Sequence, residues 1–372
     1  MKRLFLLFFA ILLVSCAGKN EQTPPQQPQD TIAYQDAVDF PVYGKAYNDD
    51  GPRYRRLPDS LQGVVRDAVW KLGCNSAGLY VRFRSNAPEI HAKWTNTGYS
   101  MPHMTECGVG GLDLYAFIDG EWRFVGSGFD WEGTGRTEHQ RKLVGNMEPK
   151  EREYMLYLSL YDEVKSLELG VPKDYVLEQP VLESPRNDAP IVMYGTSILQ
   201  GGCASRPGMA HTNIIARRLD HTVINLGFSG NALLDIEIAR FMASMESPSV
   251  YVLDYVPNSK ADRIQENGEK FFRILRDSHP DVPVIFVEDP QFPHGIVDQT
   301  NAEDVRSRNA AQKALYQSLL DAGETNIYYV SSQGMTDPED YVDGIHFTDQ
   351  GMTHYADHLT PVLQKVLSSV KR

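Results

Sequence analysis

The sequence predicts an α/β protein in which an antiparallel β sandwich precedes a parallel five-stranded sheet flanked by helices. Residues 33–185 alternate apolar and polar side chains with a period of two, which is typical of half-buried strands. Residues 186–372 instead repeat, five times, a short apolar run followed by an amphipathic stretch, which is typical of strand–helix units. The sequence LESPRNDAP, residues 182–190, separates the two patterns.

The length of the chain agrees with this division, and its charge argues against polyanionic partners. A chain of 372 residues is long for one hydrophobic core, so two domains are expected, at residues 33–185 and 186–372. The hydrophobic content of 42% and the charged content of 23% are those of an ordinary globular protein. The net charge of −13 argues against binding to nucleic acid or to an anionic lipid surface.

Residues 1–16 predict a targeting segment, a lipoprotein signal peptide. Lys2 and Arg3 precede an apolar run, residues 4–14, that is too short to cross a bilayer comfortably. The sequence LVSC, which ends at Cys16, resembles a bacterial lipoprotein lipobox. That resemblance implies cleavage before Cys16 and lipidation of this residue, although a plain signal peptide or an anchor helix would have a similar pattern. The polar residues 17–32 would then tether the protein, by its lipid alone, to a membrane of the bacterial cell envelope, in the periplasm or at the outer-membrane surface.

Three further cysteines remain in the chain, at Cys74, Cys107 and Cys203. An oxidising envelope permits a disulfide, and Cys74–Cys107 is the predicted pair because both residues fall in the first domain; their spacing adds little support. Cys203 is interpreted as a small buried residue rather than as a second nucleophile. The chain has neither a CxxC pair nor an HExxH motif, so no metal site and no cofactor are predicted.

Within the first domain, two stretches predict strands most clearly. In residues 78–94 the side chains of Leu79, Val81 and Phe83 fall on one face of a strand. Residues 111–128 predict a hairpin that turns at the dipeptide Asp119-Gly120. Four aromatic residues either fill the core, which we favour, or form a sugar-stacking surface; they are Trp94, His103, Trp122 and Trp131.

The second domain alternates predicted strands and helices. The strands are predicted at residues 191–194, 223–226, 250–253, 284–287 and 327–330. The helices are predicted at residues 210–219, 233–242, 262–277, 303–322 and 350–370. Right-handed crossovers between such units give a parallel sheet, and ligands bind at the carboxyl ends of its strands.

Polar residues and glycines follow four of these strands. Ser197 follows the first strand, Gly230 the second, Asn258 the third, and Asp343 with His346 the fifth. Each has a simpler interpretation, as a helix cap, a turn glycine or a surface pair. The spacing of Asp343 and His346 nevertheless lets the carboxylate bind one imidazole nitrogen and leaves the other as a base. A serine hydroxyl needs such a base near neutral pH.

The order serine, glycine, asparagine and aspartate–histidine resembles the SGNH (GDSL-like) hydrolase family. The similar stretches are YGTSILQGG, INLGFSGNA, LDYVPN and VDGIHFTDQGMTHYA, of which the last is the most specific. The resemblance implies a flavodoxin-like SGNH hydrolase domain from residue 186 to residue 372. The sequence GGLDLY, residues 110–115, is similar to the GxDLY signature of a domain that precedes some bacterial SGNH esterases.

This resemblance also implies roles for individual residues. Ser197 would attack an ester carbonyl, His346 would take its proton, and Asp343 would orient His346. The backbone N–H groups of Ser197 and Gly230, with the side chain of Asn258, would form the oxyanion hole. Two of these stretches depart from the family pattern, because Thr196 and Ser259 stand where aspartates are usual and Val256 stands where a glycine is usual. Neither departure removes a group from the implied triad.

The resulting hypothesis is a serine esterase that hydrolyses carboxylic esters through an acyl-enzyme. The favoured substrate is a carbohydrate from which it removes acetyl or other small acyl groups, and a small acyl ester is the other candidate. The alternative is a non-catalytic carbohydrate-binding envelope lipoprotein, against which the retention of Ser197, Asp343 and His346 argues. Phosphoryl transfer is disfavoured because the chain lacks the Walker pattern. Arg206, on the loop after the serine, is interpreted as a surface residue, with binding of an acidic substrate group as its alternative.

Overall fold

Two antiparallel sheets form the first part of the protein in the computed structural model, which describes residues 31–47, 51–131, 133 and 135–369. In spatial order, the four-stranded sheet consists of β1 (Ile32–Asp36), β9 (Ser166–Pro172), β4 (Ile90–Thr95) and β7 (Glu138–Val144). The five-stranded sheet consists of β2 (Val42–Tyr43), β3 (Tyr80–Ser85), β8 (Arg152–Tyr157), β5 (Leu112–Ile118) and β6 (Glu121–Gly128). The antiparallel β sandwich is therefore confirmed.

The core of this sandwich follows the predicted alternation. Leu79, Val81 and Phe83 are buried in one apolar cluster with Leu167 and Leu169 of β9. The hairpin of β5 and β6 turns at Asp119 and Gly120, whose φ values are 53° and 83°. Positive φ at both central residues is typical of the tight turn that matches the twist of a hairpin.

The second part of the protein contains the predicted parallel five-stranded sheet. Its strands are β10 (Arg186–Gly195), β11 (His221–Gly227), β12 (Val250–Asp254), β13 (Val284–Val287) and β14 (Ile327–Val330). They pair in the order β11-β10-β12-β13-β14, and every pair is parallel. This is the flavodoxin-like order, in which the chain reverses its direction of winding after β11.

Eight α-helices accompany the sheets in the described part of the chain. They are α1 (Asp67–Gly73), α2 (Glu106–Val109), α3 (Ser197–Gln200), α4 (His211–Leu219), α5 (Ile236–Ala243), α6 (Ala261–Ser278), α7 (Gln299–Asp321) and α8 (Asp349–Ser369). The last five match the predicted helices, each with at least one end at a different residue, whereas α1, α2 and α3 were not predicted from the sequence. Along β10, Ile191 and Met193 pack with α4 and α8, and Val192 and Tyr194 pack with α5 and α6. Helices therefore cover both faces of the sheet.

The sandwich contributes side chains to both cores of the parallel sheet. Leu160 and Tyr161 belong to the core on the side of α4 and α8, and Leu57 and Val69 belong to the opposite core. The residues from Ile32 onward form one compact unit. The boundary predicted between residues 185 and 186 stays a prediction.

The predicted Cys74–Cys107 disulfide is wrong, because both cysteines and Cys203 are free. Cys74 follows the last residue of α1, beside Arg55, and Cys107 lies within α2, next to Ser127. The thiols of Cys74 and Cys107 therefore have different neighbours. Burial raises the pKa of both thiols, that of Cys107 to about 11. Cys203 is buried, as expected, with 7% of its surface exposed.

The predicted leader with Cys16, and nearly all of the predicted tether, lie outside the described residues. Within the part of the chain that the structure describes, no helix combines the length and the apolar character needed to cross a membrane.

Candidate active site

Ser197 lies where the central strand β10 passes into the short helix α3. Thr196 caps this helix, because its hydroxyl oxygen accepts a hydrogen bond of 3.2 Å from the backbone N–H of Ile198. Gly195 lets the end of β10 lie close to the end of β12, since a Cβ atom on residue 195 would lie 2.6 Å from the carbonyl oxygen of Asp254. Thr196 thus serves as a helix cap at the position where the family usually has an aspartate.

The structure brings Ser197, His346 and Asp343 together. Nε2 of His346 lies 2.8 Å from Oγ of Ser197, and Nδ1 of His346 lies 2.8 Å from Oδ2 of Asp343. The histidine and the aspartate belong to the turn that precedes α8. His346 lies 149 positions after Ser197 in the sequence. The geometry is that of a hydrogen-bonded relay from a hydroxyl to a carboxylate.

Asp343 is held as a carboxylate. Burial raises the pKa of its carboxyl group, but hydrogen bonds from the backbone N–H groups of His346 (2.8 Å) and Ile345 (3.0 Å), and from the His346 ring, lower it to about 2. An ionised Asp343 accepts a hydrogen bond from Nδ1–H of His346. Nε2 is then the nitrogen that accepts from the Ser197 hydroxyl.

The glycine loop after β11, residues 228–232, is tied to two of the predicted site segments. The backbone N–H of Phe228 donates to the carbonyl oxygen of Gly195 at 2.8 Å, and the N–H of Ala232 donates to Oδ1 of Asn258 at 3.2 Å. The second bond orients the Asn258 amide, so that Nδ2 is its donor end. The oxyanion role of these groups stays a prediction.

Gly230 has the backbone that the predicted role requires. Its φ is +66°, which strains residues other than glycine, and a Cβ atom built on it would have no neighbour within 4 Å. Ser259, the other departure from the family pattern, is buried and donates its hydroxyl to the carbonyl oxygen of Ala232 at 2.9 Å. The loop therefore keeps Gly230 at an open surface while its ends are fixed by hydrogen bonds.

Two residues of the sandwich that were not predicted as site residues also reach the site. The ring of His103 lies with its centroid 5.5 Å from that of His346. The hydroxyl of Tyr161 donates to the carbonyl oxygen of Ser197 at 3.3 Å. His103 had been considered only for the core or for sugar stacking. No local pattern marks either residue, because both contacts join separate parts of the chain.

Two arginines of the sandwich hold the glycine loop and the strand before it. Arg56 is 2% exposed and donates to the carbonyl oxygens of Asn225 (3.1 Å) and Gly227 (2.6 Å); burial lowers its pKa to about 10. Arg66 donates to Oδ1 of Asn231 at 2.9 Å and to both carboxylate oxygens of Asp235. Both residues therefore fix the backbone around Gly230.

Arg206 is neither a surface residue nor free to bind substrate. Its Nη1 donates to Oδ2 of Asp113 at 2.6 Å and to the Tyr115 hydroxyl at 2.7 Å. Asp113 is fully buried and also accepts from the backbone N–H of Gly208 at 2.8 Å. Asp113 and Tyr115 are the acid and the tyrosine of the GGLDLY sequence. This motif therefore clamps the loop that follows α3.

Two groups of described side chains have the composition of a metal site, with ligand atoms within 4.8 Å of one another in each. The first group consists of His103, Cys203, Asp343 and His346, and the second of Asp337, Asp340 and His354. In the first, Asp343 and His346 already bind each other and Ser197. In the second, Nδ1 of His354 lies 2.8 Å from Oδ2 of Asp340. Hydrogen bonding accounts for these contacts.

The flavodoxin-like sheet, with a serine, a histidine and an aspartate brought together at its carboxyl edge, defines an SGNH-type α/β enzyme. The chain belongs to the GDSL-like lipase/acylhydrolase family, whose model matches residues 188–364. A second model, for the GxDLY N-terminus of SGNH-hydrolase-type esterases, matches residues 32–177. The family confirms an enzyme that hydrolyses esters.

Solved structures resemble the whole described fold. A crystal structure from Bacteroides ovatus, named as a GDSL-like lipase, has 35% sequence identity and a TM-score of 0.85, and the match covers 91% of this chain and 98% of that one. A family two carbohydrate esterase from Cellvibrio japonicus has 14% identity and a TM-score of 0.59, over 91% and 98% of the two chains. An acetyl xylan esterase from Butyrivibrio proteoclasticus has 12% identity and a TM-score of 0.56, over 92% and 100%. The last two share the fold. No curated protein sequence matches the chain.

Proposed function

We propose that this enzyme is a serine esterase in which Ser197 forms an acyl-enzyme with carboxylic esters. The observation that carries the proposal is the relay of two 2.8 Å contacts, from Oγ of Ser197 to Nε2 of His346 and from Nδ1 to Asp343. Such a relay supplies what a serine lacks near neutral pH, which is a base aligned with its proton.

The reaction follows from the placement of these groups. As Oγ of Ser197 attacks the ester carbonyl, Nε2 of His346 takes the hydroxyl proton, and the Asp343 carboxylate stabilises the imidazolium that forms. The N–H groups of Ser197 and Gly230 and the Asn258 amide donate to the developing oxyanion; one such donor is worth about 3–4 kcal/mol in the transition state. His346 then protonates the leaving alcohol, and it activates the water that hydrolyses the acyl-enzyme.

The proposed substrate is an acetylated carbohydrate. The support comes from two solved structures of the same fold, one named as a carbohydrate esterase and one as an acetyl xylan esterase. Release of an acetyl group makes the sugar hydroxyl the leaving alcohol. The mechanism then needs room for a sugar ring on the leaving-group side of Ser197.

The purified full chain tests this proposal by hydrolysis of p-nitrophenyl acetate and of acetylated oligosaccharides. We expect kcat to fall by a factor of roughly 10³ or more in Ser197→Ala and in His346→Ala, with the fold retained. A fluorophosphonate should label Ser197, as peptide mass spectrometry would show. A wild type that hydrolyses no member of a broad acyl panel and stays unlabelled at Ser197 would contradict the proposal and favour the carbohydrate-binding alternative.

We further propose that Cys16 carries lipid and anchors the enzyme to the cell envelope. The support is the LVSC sequence after the apolar run. Cells grown with an alkyne fatty acid should label the wild type, whereas Cys16→Ala should be unlabelled and should leave the membrane fraction. Cys74→Ala is the matched control and should label normally. Equal labelling of wild type and Cys16→Ala would refute the anchor.

A further inference from the structure

A cavity of about 480 Å³ lies between the sandwich and the glycine loop. The sandwich side supplies residues from α1 and from the loop that joins β4 to α2, and the opposite side belongs to the glycine loop. The lining includes Ala68, Lys71, Tyr99, Met101, Ser229 and Asn231. We name this space the Tyr99 cavity.

The Tyr99 cavity adjoins the proposed reaction centre. Ser229 and Asn231, which line it, are the two chain neighbours of Gly230. Tyr161 also lines the cavity, and its hydroxyl donates to the carbonyl oxygen of Ser197 at 3.3 Å. A molecule in the cavity would therefore lie beside the predicted oxyanion donor and the backbone of the serine.

Tyr99 offers an aromatic surface on a backbone that is held by hydrogen bonds. It is 50% exposed. Its backbone N–H and that of Thr97 each donate to the buried carboxylate of Asp162 at 3.0 Å. Between them, Gly98 has a φ of +73°, and a Cβ atom there would lie 2.9 Å from the carbonyl oxygen of Gly135. An aromatic side chain with two rotatable bonds, on a backbone held in this way, loses little conformational entropy when a ligand binds.

The lining has the chemistry of a sugar site. Tyr99 and Met101 provide apolar surface for the C–H face of a pyranose or furanose ring. Lys71, Ser229 and Asn231 provide polar groups for its hydroxyls. A fatty acyl chain fits less well, because charged groups of Lys71 and Glu163 line the same space.

We infer that the Tyr99 cavity binds the carbohydrate part of the ester, with Tyr99 as the stacking surface and the acetyl group directed to Ser197. This inference rests on the proposed function, and it assigns the leaving-group side of the substrate to the interface of the sandwich with the glycine loop. It gives the sandwich a direct part in substrate binding.

The test compares two tryptophan substitutions at exposed positions close together in the sequence. Ala68→Trp places a large side chain into the cavity from the exposed surface of α1, and Val64→Trp, 57% exposed and outside the lining, is its matched control. With acetylated xylotriose and cellotriose, we expect KM to rise about tenfold or more in Ala68→Trp and in Tyr99→Ala. Tyr99→Phe and Val64→Trp should stay within about twofold of the wild type. With methyl acetate, which has no sugar, the tenfold rise in KM should be absent from Ala68→Trp and Tyr99→Ala, and the control Val64→Trp should hydrolyse it at the wild-type rate.

Binding without turnover separates this inference from the proposed function. Calorimetry should show that deacetylated xylotriose or cellotriose binds the wild type and Ser197→Ala, and that Ala68→Trp binds neither sugar. If the esterase proposal is wrong, neither type of ester should be hydrolysed and the fluorophosphonate should not label Ser197. The measurement of sugar binding would still decide the inference about the cavity. Unchanged KM and unchanged sugar binding in Ala68→Trp would overturn it. The inference would also be overturned if Trp131→Ala lost sugar binding while Tyr99→Ala kept it. Trp131 is 82% exposed and lies outside the lining.

Discussion

The parallel sheet and the antiparallel sandwich contribute to the site in different ways. The segments that follow the parallel strands carry the groups proposed to react, namely Ser197, Gly230, Asn258, Asp343 and His346. The sandwich carries none of these groups. It supplies hydrogen bonds to the backbone that presents them, from Arg56, Arg66 and Tyr161.

The sandwich therefore contacts the backbone that carries the proposed reactive groups. Arg66 donates to the carbonyl oxygen and the side chain of Asn231, directly after Gly230. Asp113 binds Arg206 on the loop that follows α3. Changes in the parallel part should therefore abolish chemistry, whereas changes in the sandwich should alter stability and then rate.

The largest expected effect tests the relay in the parallel part. Asp343→Asn keeps the shape of the side chain but removes the charge that holds Nδ1–H of His346, so we expect kcat to fall by a factor of roughly 10³–10⁴. The pKa of Asp343 near 2 predicts that this carboxylate stays ionised at every working pH. The measurement is kcat for p-nitrophenyl acetate between pH 5 and pH 9.

Asp357→Asn, on the exposed face of α8, is the control and should keep wild-type activity. A loss in Asp343→Asn of less than about tenfold would show that the relay does not depend on this carboxylate.

The next effect tests the clamp between the two parts. Arg206→Met leaves the Asp113 carboxyl group buried without its cation, and we expect the free energy of unfolding to fall by about 3 kcal/mol at pH 7. Burial already raises the pKa of Asp113 above its ordinary value while Arg206 opposes that rise, so the substitution should raise it further. The folded variant then binds more protons than the unfolded chain, and its stability should fall as the pH rises from about 4 to 7.

Urea unfolding at several pH values measures this effect. The double variant Asp113→Asn with Arg206→Met has no carboxylate at position 113, so the added pH dependence should disappear. A single variant whose stability rises with pH relative to the wild type would contradict the role given to Asp113.

The sequence alone predicted the positions of the proposed reactive groups. It did not predict the contacts by which the sandwich holds the backbone around them. Strands β13 and β14 begin and end at the predicted residues, because short apolar runs are bounded by polar sequence on both sides. Helix α7 begins at Gln299, four residues before its predicted start, because its cap is Asp298, which precedes the apolar stripe. Helix α3 has four residues, too few for a helical period to be visible.

The support could not be predicted because it depends on contacts across the chain. Arg206 looked like a surface residue, yet its partner Asp113 lies 93 positions away. The guessed disulfide failed for the same reason, since sharing a domain does not place two thiols together. Residue types at strand ends are local information, whereas the packing of the sandwich on the glycine loop is not.

A smaller effect is expected where the sandwich holds the glycine loop. Arg66→Ala removes hydrogen bonds to Asn231 and Asp235 from a side chain that is 40% exposed, so stability should change by no more than about 1 kcal/mol. Because Asn231 follows Gly230, we expect kcat to fall about five- to tenfold with KM nearly unchanged. Arg66→Lys should restore only part of the rate, since lysine lacks the forked geometry. A rise in KM without a change in kcat would mean that Arg66 acts on substrate binding instead.

The smallest effect concerns Tyr161, whose hydroxyl donates to the Ser197 carbonyl oxygen at 3.3 Å. This bond is long, and Tyr161→Phe keeps the ring that packs in the core, so we expect kcat for methyl acetate to fall no more than about threefold. Tyr161→Leu also removes the ring beside the glycine loop and should cost more, in stability as well as in rate. The comparison separates what the hydroxyl does to the serine from what the ring does to the packing. If Tyr161→Phe lost a hundredfold or more, the sandwich would hold the nucleophile directly, and the division between a reacting sheet and a supporting sandwich would have to be given up.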